Sequence, residues 1–362
     1  MAEPLKNMFN IKFFEHLAEE FSRVHIHFKP EKFVIDMMEN IAPLSLNERM
    51  RKTSIVLKTQ LPLDYKKSMG IMIQVIPKLK KGYTSLVFPD FVGLYGHNDF
   101  ILSMEALKYF TQFGSSEFAI REFLRRDFKK TINIMDNWAA DKNYHVRRLA
   151  SEGSRPRLPW SFKLDEVIKN PGITQSILEK LKADDDKYVM KSVANHLNDI
   201  SKDNVSYLLN ILRTWDKTNP NTLWIIKHAS RTLIKKGNSK ALLIFDFKKN
   251  IKINVINFKL NKSRIYLGEY LQFEFSVVSR KLLMQKLVID FAIHYLKKSG
   301  ELSAKVFKLK QVDLLSKQTI FVSKKIFFKD FTTRKHYFGI HRIEILINGK
   351  SFDTANFELL SN

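Results

Sequence analysis

The stretch from Glu117 to Trp160, EFAIREFLRRDFKKTINIMDNWAADKNYHVRRLASEGSRPRLPW, decides how the first two-thirds of the chain is read. Two of its segments, EFAIREFL and NYHVRRLA, share a loose pattern in which an aromatic or apolar residue precedes a cation, followed by a small residue or another apolar turn. KYVMKSVA at 187–194 and LWIIKHAS at 223–230 repeat it. The intervals are uneven but in the range of HEAT-type helical pairs, so the pattern predicts an α-solenoid. A solenoid places equivalent residues on one side. The equivalent cations, Arg121, Arg147, Lys191 and Lys227, therefore predict a basic stripe suited to a phosphate backbone. Solvated faces of ordinary helices explain any one of them equally well.

The same stretch sets the carboxylates Glu117 and Glu152 among Arg147, Arg148, Arg155 and Arg157, and ends on Trp160. Neither charge type is desolvated cheaply, so acids among so many cations point to a site that handles a positively charged species on a polyanion. Glu117 precedes Arg121 by four residues and is expected to form an exposed ion pair on one helix face. Glu152 follows HVRRLAS at a predicted helix end and precedes GSRPRLPW, whose Gly, Pro and Arg predict an ordered basic loop. Asp199, in SVANHLNDISKDN, falls at the corresponding end of the next repeat. Glu152 and Asp199 then face one groove or, as readily, cap neighbouring helices.

Upstream, the chain reads as helix after helix from residue 1 to about 245, with apolar residues at three- and four-residue spacing. Ser45, with Glu48 three residues on, predicts a capping box, and Ser115 a second N-cap. Downstream, near residue 250, the pattern changes. INVINFKL, YLQFEFSVVS, KLVIDFAIHYL, AKVFKLKQ, QTIFVSKKIFF, HYFGIHRIEILI and SFDTANFELL are short runs rich in β-branched and aromatic residues. About seven strands bounded by turn signals predict an immunoglobulin-like sandwich, with Asn348-Gly349 as a hairpin turn. The expected organisation is mainly α: a HEAT-like repeat helical domain over 1–248, then an all-β immunoglobulin-like sandwich over 249–362.

Composition bounds the function. A formal charge of +24 in 362 residues predicts affinity for nucleic acid or an anionic membrane surface. Residues 250–362 alone carry about +11, with 20 Lys and Arg against nine Asp and Glu, so the second domain is expected to be a second nucleic-acid contact rather than an inert tail. Zero cysteines exclude a disulfide framework, a thiolate zinc site and a cysteine nucleophile. His25 and His27 form an HxH without a further ligand at a recognisable spacing, and no HExxH, GxSxG or glycine-rich phosphate loop is present. No signal peptide or membrane span is read, which predicts a soluble intracellular protein.

SMEALKYFTQFGSSEFAIREFL, HVRRLASEGSRPRLPW and SVANHLNDISKDN resemble hallmark segments of the AlkC branch of the HEAT-like repeat DNA glycosylases, and the opening EPLKNMF is similar to that family's start. The resemblance implies a solenoid that holds alkylated DNA and excises 3-methyladenine and 3-methylcytosine as free bases. It also implies, for a subset, a C-terminal immunoglobulin-like domain that engages DNA. By motif it maps the acidic site residues onto Glu117, Glu152 and Asp199, with Trp160 stacking on the lesion. Glu122 stands where that family usually has proline after the arginine. Arg121, Arg147, Arg148, Arg155, Arg157, Lys191 and Lys227 are the expected DNA contacts. A monomer acting on double-stranded DNA is expected, in the bacterial cytoplasm and on the nucleoid, without metal, cofactor or membrane. The competing expectation is a HEAT-repeat scaffold that binds nucleic acid without catalysis.

Overall fold

The protein is described from a computed structural model, which covers residues 4–248, 250–330 and 335–361. Glu3 of the EPLKNMF opening and Lys249, the first residue of the expected second domain, lie outside them. Among the described residues, sixteen α-helices precede eight strands. In the helix Ile11–Val24, Phe14, Leu17, Ala18 and Phe21 are buried, the three- and four-residue spacing of one apolar face. Asn10 starts that helix by accepting from the Phe13 amide at 3.1 Å. Phe21 stacks on Phe28 and Phe88 at ring separations of 5.3 and 6.1 Å, so much of this core is aromatic.

The capping box expected at Ser45 is present: the Glu48 carboxylate accepts from the Ser45 amide at 2.8 Å. The cap expected at Ser115 is not formed. The next helix is Ala119–Arg126, preceded by Phe118 without a side-chain cap, and the Ser115 hydroxyl is turned instead toward Glu117 and Arg148. That helix runs through Glu122 without a break, so glutamate in place of the family's proline completes a regular turn and pairs with Arg125 at 3.3 Å.

Packing divides the chain into two compact units, Met1–Val205 with Trp215–Ala229, and Ser206–Thr214 with Ser230–Asn362. The first is helical throughout. In the second, the strands β1 (Ile253–Leu260), β2 (Arg264–Tyr266), β3 (Tyr270–Ser279), β4 (Gln285–Leu296), β5 (Leu302–Leu314), β6 (Thr319–Phe327), β7 (Gly339–Ile347) and β8 (Lys350–Leu360) form two sheets. Their orders are β1-β3-β6 and β2-β8-β7-β4-β5. The inward residues Phe273, Phe275, Phe291, Ile343, Ile345 and Phe357 make the core between them. The strand beyond the expected seven is β2, three residues paired parallel to β8 and too short to show alternation. Asn348 and Gly349 have φ values of 49° and 72° and join β7 to β8, the left-handed pair a two-residue hairpin needs. Asn348 also ties the unit together: its side chain accepts from the Val288 amide at 2.7 Å and donates to the Lys248 carbonyl at 2.8 Å.

Candidate active site

Three elements of the helical unit converge on one cleft: the turn Ser115–Phe118, the helix Tyr144–Gly153 with the loop after it, and the helix Lys187–Ile200. The cleft has a volume of about 330 Å³ and is lined by Tyr83, Ser115, Glu117, Arg148, Glu152, Trp160 and Tyr188, among others. Two glycines permit its first wall. The Gly82 amide donates to the Phe113 carbonyl at 2.9 Å, and a Cβ on Gly114 would stand 2.8 Å from the Gly82 carbonyl oxygen. This close backbone approach sets Tyr83 and Ser115, each next to one of the two glycines, in the lining of the same cleft.

The acids and arginines form an alternating chain. Arg148 joins Glu117 to Glu152, approaching the first through Nη1 and the second through Nη2 at 3.5 Å. Arg155 joins Glu152 to Asp199, at 2.6 and 2.8 Å. Lys202 ends the chain on Asp199 Oδ1 at 2.9 Å. Burial alone would raise the Glu152 carboxyl, but the Arg148 and Arg155 guanidiniums together hold it below its ordinary value. Arg148 also lies over the Tyr188 ring, 4.6 Å from its centre. Glu117 does not pair with Arg121, as the four-residue spacing suggested, because it precedes the helix and turns toward Arg148.

Arg121 requires a correction. Expected on a basic stripe, it is fully buried, and its guanidinium donates to the carbonyls of Gly153, Arg155 and Phe162. It holds the loop Gly153–Phe162 from beneath, which excludes a phosphate contact. Burial, and then the charge of Arg155, lower its pKa to about 10. Arg147 is held by Asp184 at 2.6 and 3.0 Å, and Arg157 by Asp203 at 2.7 and 3.0 Å. Lys191 and Lys227 are exposed.

Trp160 sits at the end of the loop with φ of 62° and 70% of its surface exposed. A bulky residue in the left-handed region, with its ring turned outward, is strained in a way that packing alone does not reward. Its ring meets Tyr83 edge-on at 6.5 Å. Asp199 does not line the cleft: it is 2% exposed and reaches the site through Arg155.

The structure thus brings Glu117, Glu152, Arg148 and Trp160 together and adds Tyr83, Tyr188 and Ser115. Tyr188 had a signal, since it occupies in KYVMKSVA the place of Tyr144 in NYHVRRLA. Tyr83 had none near the other site residues. Among the described residues no group of three His, Cys, Asp or Glu stands close enough to hold a metal ion, and no helix is long and apolar enough to cross a membrane.

Residues 254–361 match the family described as "Uncharacterised protein YhaZ, C-terminal Ig-like domain". The chain is 39% identical over 356 residues to the uncharacterized protein YhaZ of Bacillus subtilis, covering 98% of this chain and 99% of that one. Among solved structures it is similar to Pseudomonas fluorescens alkylpurine DNA glycosylase AlkC bound to DNA containing an abasic site analog. That similarity has a TM-score of 0.97 and 44% identity, over 99% of this chain and 100% of that one.

Proposed function

This chain belongs to the AlkC branch of the HEAT-like repeat DNA glycosylases, with a C-terminal immunoglobulin-like domain, and we propose that it releases the cationic bases 3-methyladenine and 3-methylcytosine from double-stranded DNA. The observation that carries this reading is the cleft itself: two carboxylates, one held ionised by two arginines, beneath an exposed tryptophan. N3-alkylation makes the base a good leaving group, so no acid is needed to protonate it. What remains is to stabilise the oxocarbenium-like sugar and to position water, and carboxylates do both. A cationic base gains about 0.5 to 2 kcal/mol on the Trp160 face, which selects against neutral bases. The Pseudomonas relative is named as an alkylpurine glycosylase and was captured on DNA with an abasic site analog, the kind of DNA that base release leaves.

Within this mechanism Glu117 and Glu152 touch the reacting sugar or water, and Asp199 positions Arg155. Of the expected phosphate contacts, Arg148 and Arg155 are buried between carboxylates and serve the site instead; Arg147, Arg157, Lys191 and Lys227 reach phosphates, the two arginines by exchanging a carboxylate for phosphate oxygens. The basic sandwich supplies a second DNA contact. The enzyme acts as a monofunctional, metal-free monomer on bacterial nucleoid DNA.

The deciding measurement is single-turnover release of 3-methyladenine and 3-methylcytosine from methylated duplex DNA. Wild type releases both, and Glu117→Gln and Glu152→Gln slow release by about 100-fold or more, the size of removing one electrostatic interaction with a transition state. DNA binding without release by wild type would establish the non-catalytic scaffold instead.

A further inference from the structure

Ser115 is an uncharged side chain in the cleft that hydrogen-bonds to both Glu117 and Arg148. A serine hydroxyl has one proton to give and two lone pairs. Here all three are used. The Ser115 oxygen accepts from Arg148 Nη1 at 2.7 Å and from the Glu117 amide at 3.2 Å, and donates its proton to Glu117 Oε2 at 2.8 Å. Oε2 also takes the Arg148 ion pair. Among the described residues no hydrogen bond goes to Oε1, and Glu117 lines the cleft with 16% of its side chain exposed. One oxygen is fixed from behind, and the other is left for whatever enters the cleft.

The other two acids are placed differently. Glu152 has Oε1 occupied by both Arg148 and Arg155, and Asp199 has its two oxygens on Arg155 and Lys202. Asp199 does not reach the cleft. A carboxylate that is to accept a proton from water needs a free oxygen facing the water and a fixed orientation. Glu117 and Glu152 both line the cleft with one oxygen held by arginine, and Glu117 is the more open of the two, with 16% of its side chain exposed against 8%.

We propose that Ser115 is a positioning residue that locks Glu117 through Oε2, so that Glu117 Oε1 takes the proton from the attacking water. This rests on the glycosylase reading above. In the step it serves, the water oxygen bonds to C1′ and the C1′–N bond breaks. Its electron pair goes to the cationic base, which departs neutral, while the water proton passes to Glu117 Oε1. Ser115 keeps its own proton throughout. Arg148, held by the same hydroxyl, stays between Glu117 and Glu152 and prevents Oε2 from competing for the water.

The test is a double-mutant cycle on the full chain, with Ser115→Ala, Ser115→Thr, Glu117→Gln and Ser115→Ala/Glu117→Gln, read by single-turnover release of 3-methyladenine, DNA affinity and Tm. Ser115→Ala is expected to slow release by about 10- to 100-fold, the range of a hydrogen bond to a charged group, with DNA affinity unchanged. Ser115→Thr, which keeps the hydroxyl, retains at least half the wild-type rate and guards against an alanine variant that fails to fold. In the Glu117→Gln background, Ser115→Ala has no further effect on the rate. An equal loss from Ser115→Ala in both backgrounds overturns the proposal, as does a threonine variant as slow as the alanine one, or a loss confined to DNA affinity. If wild type itself releases no base, the glycosylase reading has failed, an outcome distinct from an active wild type indifferent to Ser115.

Discussion

Arg121 shows how far a single buried cation shapes the site. Among the described residues it has no carboxylate partner, and it is held by three carbonyls of the loop that carries Arg155 and Trp160. Arg121→Met keeps much of the volume and leaves those carbonyls without their donor in the interior, at a cost of about 1 to 3 kcal/mol for each one left unpaired. Thermal unfolding should show the loss, and base release should fall even where the protein remains folded, since the loop loses its anchor. Arg148 offers a prediction of opposite kind. It is one of the two guanidiniums that hold Glu152 below its ordinary value against burial. In Arg148→Met, burial gains on the remaining charge, so the Glu152 pKa rises and the acid limb of the rate–pH profile moves upward. An acid limb that stays in place would show that Glu152 does not govern it. His196 reports on stability instead. Fully buried between Ser151 and Thr174, it has a pKa pushed down to about 4, chiefly by desolvation. Between that value and its ordinary 6.5 the unfolded chain binds a proton that the folded chain does not, so stability falls as pH falls. The His196 contribution lost between pH 7 and pH 5 is about 2 kcal/mol. Urea unfolding at the two pH values should show it in wild type and not in His196→Gln.

At the level of elements, the site is built where helix ends meet, and this determines what the sequence reveals. Glu152 and Asp199 were legible as acids near the ends of successive repeats, because helix periodicity and the Gly-Ser-Arg-Pro run mark those ends locally. The sandwich was legible from alternation and the Asn348-Gly349 turn. Ser115 was read as a cap because a serine before an apolar run is a common cap, yet the helix begins four residues later and the hydroxyl is engaged by Glu117 and Arg148 instead. Tyr83 was invisible because its place depends on a backbone approach between Gly82 and Gly114, more than 30 residues apart, and no periodicity encodes such an approach. Arg121 was misjudged for a related reason: the pattern gave its spacing but not which repeats turn their cation inward. Gly153 is a sharper case. It ends the helix Tyr144–Gly153, and a Cβ there would stand 2.6 Å from Ile120 Cγ2 on the neighbouring helix. Gly153→Ala therefore overpacks the seam between the two helices that carry Glu152 and Arg121. A loss of about 1 to 3 kcal/mol is expected in denaturant unfolding, together with slower base release, because Glu152 immediately precedes the displaced residue.

For the whole molecule, charge and packing impose separate constraints on how the two units can be taken apart. Of the total of +24, about +11 belongs to residues 250–362, so if both parts lie on DNA, both contribute counterion release. Affinity for methylated duplex should fall steeply with salt, and removal of the sandwich should flatten the slope of log K against log salt by about 0.9 for each phosphate that is no longer neutralised. The choice of truncation point decides whether that experiment is interpretable. Cutting where strands begin, after residue 248, leaves the helices Arg231–Lys235 and Ser239–Leu243 without the unit in which they pack. Their buried Leu233, Ala241 and Leu242 would face water. The Lys248 carbonyl would lose Asn348, and Gly237 would lose the close backbone approach of Gly349. A fragment ending at residue 229 removes those helices as well, but keeps Ser206–Thr214, which also belongs to the second unit. The expected ranking is therefore that the fragment ending at 248 aggregates more readily than one ending at 229, and that both are less stable than the full chain. Light scattering and Tm on the three proteins at matched ionic strength test that ranking. A stable, monodisperse fragment ending at 248 would mean that the change from helix to strand, and not the packing of the helices, marks where the molecule divides.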